Sequence, residues 1–300
     1  SNLAKNTPAM DSISITIDTF KSVTKVSFDS SITKDIFILN GIQQRTLGQI
    51  KPTVNYLRTF HKNLDHCIIQ SDNNFPTAAG LASSASGVAS LVTALSRLFN
   101  LKLSNMELMN AAMLGSGSAP RSMFPGFVYL DKDNFTCKTI LDEKQWPLKI
   151  IICLTNTNEK VISSRIGMQI SKATSPFYRS WINSQDEDIK KGLQAIKEKD
   201  FHALAEVSES NCEKMHKVME SSEPPLLYKN EVTKQCIKQI NQMKMSGLSL
   251  FYTVDAGPQV KIICKPDDTE TIVAKMKLVP NVHSIIEANL GQGARIINES

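Results

Sequence analysis

The sequence predicts an α+β protein with two lobes. Strand-like patterns dominate the first half, the stretch from about residue 163 to 245 is mainly helical, and strand-like patterns return near the end. Strands and helices that occupy separate stretches in this way are typical of α+β proteins. The 300 residues suffice for two lobes of moderate size. We place the boundary at Trp146-Pro147, which gives lobes of residues 1–146 and 147–300.

The first half opens with strand patterns and then alternates helices with strands. Strands are expected at residues 13–17, 23–28 and 36–39, and the third ends in Asn40-Gly41, a strong hairpin signal. Further elements are a helix from about 46 to 64, a strand at 67–70, a long helix ending near Phe99, and a helix from Ser104 to Leu114. Ser104 is a typical helix N-cap.

The second half is expected to be helical between short runs of strands. Strands are predicted at residues 126–130, 137–141 and 148–154, before the boundary and across it. Ser175-Pro176 and Glu223-Pro224-Pro225 break the helical stretch. The remaining elements are strands at 249–254 and 260–264, a helix at 267–276 and a strand near 282–287.

Composition argues against a metal site, a nucleic-acid surface and a membrane span. The formal charge of +5 is modest, and the lysines are not interleaved with aromatic residues. No signal peptide or spanning segment is visible, so a cytoplasmic protein is expected. The six cysteines form no close-set pair and are expected to be reduced core residues: Cys67, Cys137, Cys153, Cys212, Cys236 and Cys264.

A run of small residues between a strand and a helix predicts a phosphate-binding loop. Almost every residue from Thr77 to Ser86 is small, so a ligand can approach the backbone closely. The following helix offers free N–H groups and a positive dipole end. The Walker and dinucleotide motifs are absent. The alternative is that small residues only allow tight helix packing.

Two further segments are candidate anion clamps. The first, residues 115–122, ends a helix with glycines and serines and then presents Arg121, whose planar guanidinium suits carboxylate or phosphate. The second, residues 161–168, places two hydroxyls and Arg165 at a helix start. The alternatives are a surface turn for the first segment and an ordinary helix cap for the second.

Asp255 is the candidate catalytic carboxylate. It follows the apolar strand pattern of residues 250–254 and precedes Ala256-Gly257-Pro258. A carboxylate held there can accept a hydroxyl proton and orient that oxygen toward a phosphate. The alternative is a hairpin turn without catalytic function.

These motifs resemble the GHMP kinase superfamily, and specifically the mevalonate diphosphate decarboxylase family. The resemblance implies a two-lobed GHMP kinase fold, with an N-terminal ATP-binding lobe like ribosomal protein S5 domain 2 and a ferredoxin-like C-terminal lobe. It implies catalytic roles for Asp255 and Arg121. The implied ATP and phosphate contacts are Ser71, Asn73, Pro76, Gly80, Leu81, Ala82, Ser83, Ser84 and Ser86. The implied substrate contacts are Ser116, Gly117, Ser118, Arg121, Ser163, Ser164, Arg165, Met168 and Ala256.

The implied reaction is ATP-dependent decarboxylation of mevalonate 5-diphosphate to isopentenyl diphosphate through phosphorylation of the C3 hydroxyl. ATP and Mg²⁺ are expected, without a dedicated protein metal site, although Ser84 is a candidate ligand for the ion. A homodimer is expected from the same resemblance. Two alternatives are a GHMP-type kinase such as a mevalonate 3-kinase, and a ligand-binding homologue without catalytic activity.

The sequence departs from the family at three places. Pro120 and Gln259 stand where the family usually has cysteine and asparagine. The family's opening strand supplies a substrate-contacting lysine and tyrosine, and the resemblance here begins beyond it, at about Pro8. Either about 20 residues of the natural protein precede this chain, or the protein lacks a strand whose loss exposes a sheet edge.

Overall fold

The computed structural model describes residues 8–61, 65–75, 83–156 and 162–297, without the side chains of Ser83 and Arg165. The described residues divide into two compact units. The first unit contains those up to residue 139 together with 291–297, and the second contains those from 140 to 290. The predicted boundary at Trp146 lies a few residues beyond this division.

The first unit combines two small sheets with helices. Its elements are β1 (Ser12–Ile15), β2 (Ser22–Phe28), β3 (Ile36–Leu39), β4 (Ile42–Gln43), α1 (Lys51–Arg58), β5 (Cys67–Asn73), α2 (Ser83–Leu98), α3 (Asn105–Gly115), α4 (Ala119–Ser122), β6 (Phe127–Asp131) and β7 (Thr136–Leu141). One sheet has the order β1-β6-β7, and the other has the order β2-β5-β3-β4. Strands β3 and β5 are parallel. The core packs α1, α2 and α3 against β5.

Two local predictions in this unit are confirmed. Asn40 and Gly41 have φ angles of 50° and 75° and join β3 to β4, as the hairpin signal indicates. Ser104 caps α3 in a capping box, because its hydroxyl accepts from the Glu107 N–H while the Glu107 carboxylate accepts from the Ser104 N–H.

The helix predicted from residue 46 to 64 is too long at both ends. A 3₁₀ turn occupies Gly48–Ile50, and α1 begins only at Lys51, with Pro52 in its first turn. Gly48 has a positive φ of 49°, which interrupts a regular helix before this point. At the other end, the Thr59 hydroxyl donates to the Tyr56 carbonyl at 2.7 Å and competes with continued helix bonding.

The second unit packs helices against a four-stranded sheet. Its elements are β8 (Lys149–Leu154), α5 (Ser164–Thr174), α6 (Tyr178–Glu198), α7 (Phe201–Glu220), α8 (Glu231–Met245), β9 (Leu250–Val254), β10 (Val260–Cys264), α9 (Thr269–Met276) and β11 (Ser284–Asn289). The sheet order is β11-β8-β10-β9, with antiparallel neighbours throughout. Side chains of α7, α8 and α9 cover one face of this sheet and form its main core.

The helical stretch of this unit is confirmed, with one additional break. Residues 175–177 and 221–230 separate helices where the prolines predict an interruption. The missed break lies between α6 and α7, where Lys199 takes a left-handed φ of 55° and Asp200 caps α7 through the Ala203 N–H at 3.0 Å.

All six cysteines are buried and free, as predicted. Cys153, Cys212, Cys236 and Cys264 belong to the core of the second unit, where they fill space as small apolar groups. Among the described helices, none combines the length and the apolar character that crossing a bilayer requires.

Candidate active site

Three serine hydroxyls from two motifs meet in the first unit. Ser84 lies in the first turn of α2, and its Oγ shares a hydrogen bond of 3.2 Å with Oγ of Ser116, at the end of α3. Ser116 in turn contacts Ser118 Oγ at 3.3 Å. We call Ser84, Ser116 and Ser118 the serine group. It joins the predicted phosphate loop to the first predicted clamp, two segments that lie 32 residues apart.

Gly115 is the residue that allows this approach. A Cβ at this position would lie 2.7 Å from Val88 Cγ2 and 2.9 Å from Thr53 Oγ1, both far inside contact distance. Without a side chain, the last turn of α3 packs directly on α2 and α1. The Thr53 hydroxyl donates to the Ala111 carbonyl at 2.9 Å and secures the same contact. The glycine therefore determines where Ser116 lies.

The other residues predicted to line the ATP site tie β2, β5 and α2 together. Ser71 is buried, and its hydroxyl shares a hydrogen bond of 3.0 Å with Thr24 Oγ1. Asn73 Oδ1 accepts from the Ser22 hydroxyl at 2.5 Å, and Ser86 Oγ accepts from the Ser22 N–H at 3.1 Å. The remaining predicted residues, Pro76, Gly80, Leu81, Ala82 and the side chain of Ser83, lie outside the described residues.

Arg121 stands next to the serine group on the short helix α4. Its Nη1 donates to Ser12 Oγ on β1 at 2.7 Å, which orients the guanidinium. The adjacent Gly117 is exposed. Pro120, the departure from the family motif, is buried in the first turn of α4, where a missing N–H leaves no helical bond unmade. Burial raises the pKa of Cys137 to about 12, against the opposing influence of the nearby Arg121 charge.

The second predicted clamp is the start of α5. Ser163 is its N-cap, with Oγ accepting from the Ile166 N–H at 3.3 Å, so the ordinary cap considered as the alternative is present. Ser163 and Ser164 are both exposed. The side chain of Arg165 lies outside the described residues. A helix N-terminus favours an anion, and two exposed serines stand at this one.

An apolar cluster connects α5 with the turn that carries Asp255. Ala256 belongs to the same cluster as Met168, together with Leu226, Met219 and Tyr228. Gly167 allows this packing, because a Cβ there would lie 2.6 Å from the Tyr228 hydroxyl oxygen. The clamp helix and the predicted catalytic turn are therefore held in one arrangement, which the sequence motifs do not reveal.

Asp255 directly follows β9 and is 66% exposed. Its Oδ2 accepts from Lys261 Nζ at 2.8 Å, and the Lys261 side chain is only 15% exposed. The Gly257 N–H donates to the Asp255 carbonyl at 2.7 Å and tightens the turn. The carboxylate is thus accessible to a ligand while its backbone is constrained.

Buried hydrogen bonds hold the turn between β9 and β10 in place. The Pro258 carbonyl accepts from the Thr233 hydroxyl at 2.6 Å and from the Thr155 hydroxyl at 2.8 Å. Gln259 is buried and bridges Thr155 and Asn156, with Oε1 accepting from the Thr155 N–H at 2.7 Å and Nε2 donating to the Asn156 carbonyl at 2.5 Å. The glutamine thus serves the turn where the family usually has asparagine.

Helix α7 covers the outer edge of β9 with polar side chains. Glu209 accepts from the Tyr252 N–H at 3.2 Å, and Cys212 Sγ accepts from the Val254 N–H at 3.3 Å. His216 Nε2 contacts the Val254 carbonyl at 2.9 Å and donates, because a carbonyl only accepts. These side chains satisfy backbone groups that point away from β10. The strand that ends at Asp255 is therefore held on both edges.

Sequence reasoning missed several residues that shape this region. Lys261, Gln259 and Thr233 contact the Asp255 turn or its side chain. Gly115 lets α3 pack closely on α2, and His216 donates to the last carbonyl of β9. A weak signal for Lys261 was available, because a β9–β10 hairpin brings it near Asp255 on one face. The spacing of Glu209, Cys212 and His216 on α7 indicates a shared face, but not which strand it meets.

The donors in the first unit suit a magnesium nucleotide. Hydroxyl oxygens and helix N–H groups bind phosphate, and a serine hydroxyl is an acceptable Mg²⁺ ligand. Among the described residues, no group of three His, Cys, Asp or Glu side chains is arranged to hold a metal ion. Serine hydroxyls of this kind fit a magnesium ion that is bound together with the phosphate oxygens of a nucleotide.

Comparison with known proteins shows the family to which the chain is related. The Diphosphomevalonate decarboxylase-like N-terminal domain matches residues 1–140, and the Mevalonate 5-diphosphate decarboxylase C-terminal domain matches residues 150–296. Diphosphomevalonate decarboxylase of Ganoderma lucidum is 33% identical over 296 residues, which cover 89% of this chain and 74% of the relative.

Two solved structures extend the comparison to the fold. Mevalonate diphosphate decarboxylase from Staphylococcus aureus superposes with a TM-score of 0.90 at 32% identity, covering 97% of this chain and 91% of that one. A structure described as MDDEF in complex with MVAPP, AMPPCP and magnesium gives 0.87 at 34% identity, with coverage of 97% and 92%. The predicted two-lobed α+β class is confirmed, and the chain belongs to the diphosphomevalonate decarboxylase family.

Proposed function

We propose that this chain catalyses the ATP-dependent decarboxylation of mevalonate 5-diphosphate to isopentenyl diphosphate. The related structure that holds MVAPP, AMPPCP and magnesium carries the substrate and an ATP analogue of this reaction. The observation that carries the proposal to this chain is Asp255, an accessible carboxylate on a turn that is locked by Thr155, Thr233 and Gln259.

The serine group and Arg121 are assigned to the phosphate chemistry of the first unit. Hydroxyls at 3.2–3.3 Å from one another offer several donors to phosphoryl oxygens, and their positions are set in advance by Gly115. Pre-positioned donors stabilise charge in phosphoryl transfer. Magnesium bound with ATP would be met here by Ser84 and would neutralise phosphate charge. Arg121 would attract the carboxylate and phosphoryl region of the substrate.

The start of α5 and Ala256 are assigned to the substrate diphosphate. Ser163, Ser164 and Arg165 stand at a helix N-terminus, which favours an anion. Met168 and Ala256 share one apolar cluster, so the anion end and the catalytic turn keep a constant spacing. This spacing would place the C3 hydroxyl of a bound substrate near Asp255.

Asp255 would orient the C3 hydroxyl and accept its proton as the oxygen attacks the γ-phosphorus of ATP. A new O–P bond forms as the bond from the γ-phosphorus to ADP breaks and ADP leaves. The existing C3–O bond then breaks with release of phosphate, and the C–CO₂ bonding electrons form the double bond as CO₂ departs. Atoms and charge balance without a further reactant. The role of the protein is positioning and charge stabilisation.

The test is the Asp255→Ala variant, assayed for ADP and CO₂ in parallel. We expect turnover to fall by about 10³-fold or more, while nucleotide affinity stays within about threefold of wild type, because the removed group acts on the substrate hydroxyl. The control is Asp267→Ala, an exposed aspartate of the same unit. Turnover near the wild-type rate in Asp255→Ala would refute the role of Asp255.

The same assay separates the alternatives. ADP formation without CO₂ from the wild-type chain would indicate a kinase that stops at the phosphorylated product. Calorimetric binding of both ligands without turnover would indicate a ligand-binding homologue. Equal amounts of ADP and CO₂ are the result expected of a decarboxylase.

The proposal includes a cytoplasmic homodimer that acts on small molecules and has no nucleic-acid or membrane partner. It is supported by the family relationship, by the modest charge of +5 and by the scattered lysines. Light scattering on the purified protein tests the dimer, and a monomer at micromolar concentration would contradict it.

A further inference from the structure

We propose that Lys261 is a positioning residue that holds the Asp255 carboxylate in its reactive orientation. This inference rests on the proposed function, because it assigns Lys261 to the same reaction. The contact is direct, with Lys261 Nζ at 2.8 Å from Asp255 Oδ2. It joins a lysine that is 15% exposed to an aspartate that is 66% exposed.

The β9–β10 register explains how the two side chains meet. Lys261 pairs with Thr253 across the hairpin, and Asp255 follows Thr253 by two residues. Side chains two residues apart on a strand point to the same face, so Asp255 is the diagonal neighbour of Lys261. The opposite face of these strands carries Val254 and Ile262, which are buried against the helices. The contact therefore lies on the face away from that core.

The surroundings of Lys261 set it apart from a surface ion pair. It lies in β10, which is paired with β9 on one side and with β8 on the other. Its cross-strand neighbour on β8 is Ile152, which is 1% exposed. Exposed ion pairs gain little, since two flexible side chains must be ordered. Here the sheet already restricts the lysine side chain, so only the aspartate side chain has to be ordered when the pair forms.

This difference between a restricted lysine and a more mobile aspartate matters for catalysis. A carboxylate that must orient a hydroxyl toward phosphorus works only within a narrow range of positions, and an error of about 1 Å can cost about 10²-fold in rate. The backbone of Asp255 is constrained by the turn, but a short carboxylate still rotates about its own bonds. The Lys261 ammonium restricts this rotation through Oδ2.

The experiment compares Lys261→Met with wild type in steady-state assays of ADP and CO₂. We expect kcat to fall by about 10- to 100-fold, while KM for mevalonate diphosphate and ATP stays within about threefold, because binding contacts are intact. Lys261→Arg keeps a cation at this place and should recover kcat to within about fivefold of wild type. A rise in KM with unchanged kcat would overturn the inference, since it marks a substrate-binding lysine.

The matched control is Lys149→Met on β8. Lys149 belongs to the same sheet, pairs with Cys264 at the other end of β10 from the Asp255 turn, and donates to Asn289 Oδ1 at 2.6 Å. It should retain wild-type kcat. Thermal unfolding of all variants separates misfolding from misplacement, and Lys261→Gln supplies a second neutral variant of similar length. Wild-type kcat in either folded neutral variant would overturn the inference.

A combined variant tests whether Lys261 acts through Asp255. In single-turnover assays, adding Lys261→Met to Asp255→Asn should cause no further loss, because the group being positioned is already altered. A further tenfold loss would show an independent role and overturn the inference. If the wild-type chain releases neither ADP nor CO₂ from these substrates, the proposed function fails. If it releases both and Lys261→Met is unimpaired, only the role of Lys261 fails.

Discussion

Gly115 shows how strongly one missing side chain can determine the position of a candidate site residue. The two side chains that a Cβ would meet, those of Val88 and Thr53, are both buried. Neither can move away without disturbing the packing of α1, α2 and α3. The residue is therefore coupled to the position of Ser116 and, through it, to Ser84.

We predict that Gly115→Ala lowers the free energy of unfolding by about 1–3 kcal/mol, as overpacking of a core does. It should also weaken nucleotide binding, because the Ser84–Ser116 spacing must widen. Urea unfolding and titration with an ATP analogue measure the two effects. The control is Gly87→Ala on α2, where a Cβ meets only Ser22 Oγ at 4.0 Å and should not destabilise the helix. Equal stability of the two variants would contradict this account.

Gln259 is a second position where one side chain has a clear structural task. Its amide joins the Thr155 N–H and the Asn156 carbonyl, two backbone groups at the end of β8. Buried backbone groups of this kind are costly when they lose their partners. The family departure at this position therefore keeps the polar contacts of the turn intact.

At the scale of secondary-structure elements, α7 takes the place of a neighbouring strand along the free edge of β9. An edge strand presents unpaired N–H and carbonyl groups, and natural sheets often cover them. Here Glu209, Cys212 and His216 lie on one face of the helix and meet Tyr252 and Val254. Tyr252 adds a side-chain contact, because its hydroxyl donates to Glu213 at 3.0 Å. The strand that carries Asp255 is thereby fixed without a further strand.

His216 makes this cover sensitive to pH. Burial lowers its pKa below the ordinary value of 6.5, so the folded state keeps the imidazole neutral where the unfolded chain binds a proton. Stability should therefore fall as the pH drops through 6.5 toward the lower folded pKa, and the His216 contribution to the slope is at most about 1.4 kcal/mol per pH unit.

The measurement is the free energy of unfolding at several pH values between about 5 and 7.5. His216→Gln retains an N–H donor for the Val254 carbonyl but does not titrate, so its slope should be shallower than that of wild type. His202→Gln, an exposed histidine on the same helix, is the matched control and should keep the wild-type slope. Identical slopes in wild type and His216→Gln would rule out this source of pH dependence.

For the molecule as a whole, the residues assigned to ATP and those assigned to the substrate diphosphate belong to different units. The serine group and Arg121 belong to the first unit, while Asp255, Ala256 and α5 belong to the second. Each unit has its own core and holds its own site residues through internal contacts. Ligands that contact different units should therefore slow amide hydrogen exchange in different parts of the chain.

We predict that magnesium AMPPCP alone slows amide hydrogen exchange in the first turn of α2 and at residues 116–118. Binding stabilises what it contacts by mass action, by about 2.7 kcal/mol at 100 times the dissociation constant. Mass spectrometry of exchange, with Ser84→Ala/Ser116→Ala as the control that should lose the protection, measures the effect. Protection confined to α8 and α9 would contradict the assignment of the serine group.

Much of the local structure of this protein could be predicted from residues that are close together in the sequence. Asn40-Gly41 predicts its hairpin, Ser104 its helix cap, and the apolar runs their strands, since these structures depend on contacts within a few positions. The motifs around Ser84, Arg121 and Asp255 predict the family, because each is a short continuous run of residues. The ends of α1 and the break at Lys199 were missed, because they depend on the positive φ of Gly48, the Thr59 hydroxyl bond and the left-handed Lys199.

Tertiary structure alone decided which distant groups meet. Ser84 meets Ser116 because Gly115 lets two helices touch, and His216 meets Val254 because α7 docks on one particular strand edge. Lys261 reaches Asp255 through the register of a hairpin. Such contacts depend on how complete elements pack, and packing depends on the summed shape and burial of many side chains. The order of residues along the chain does not show how these side chains combine in three dimensions.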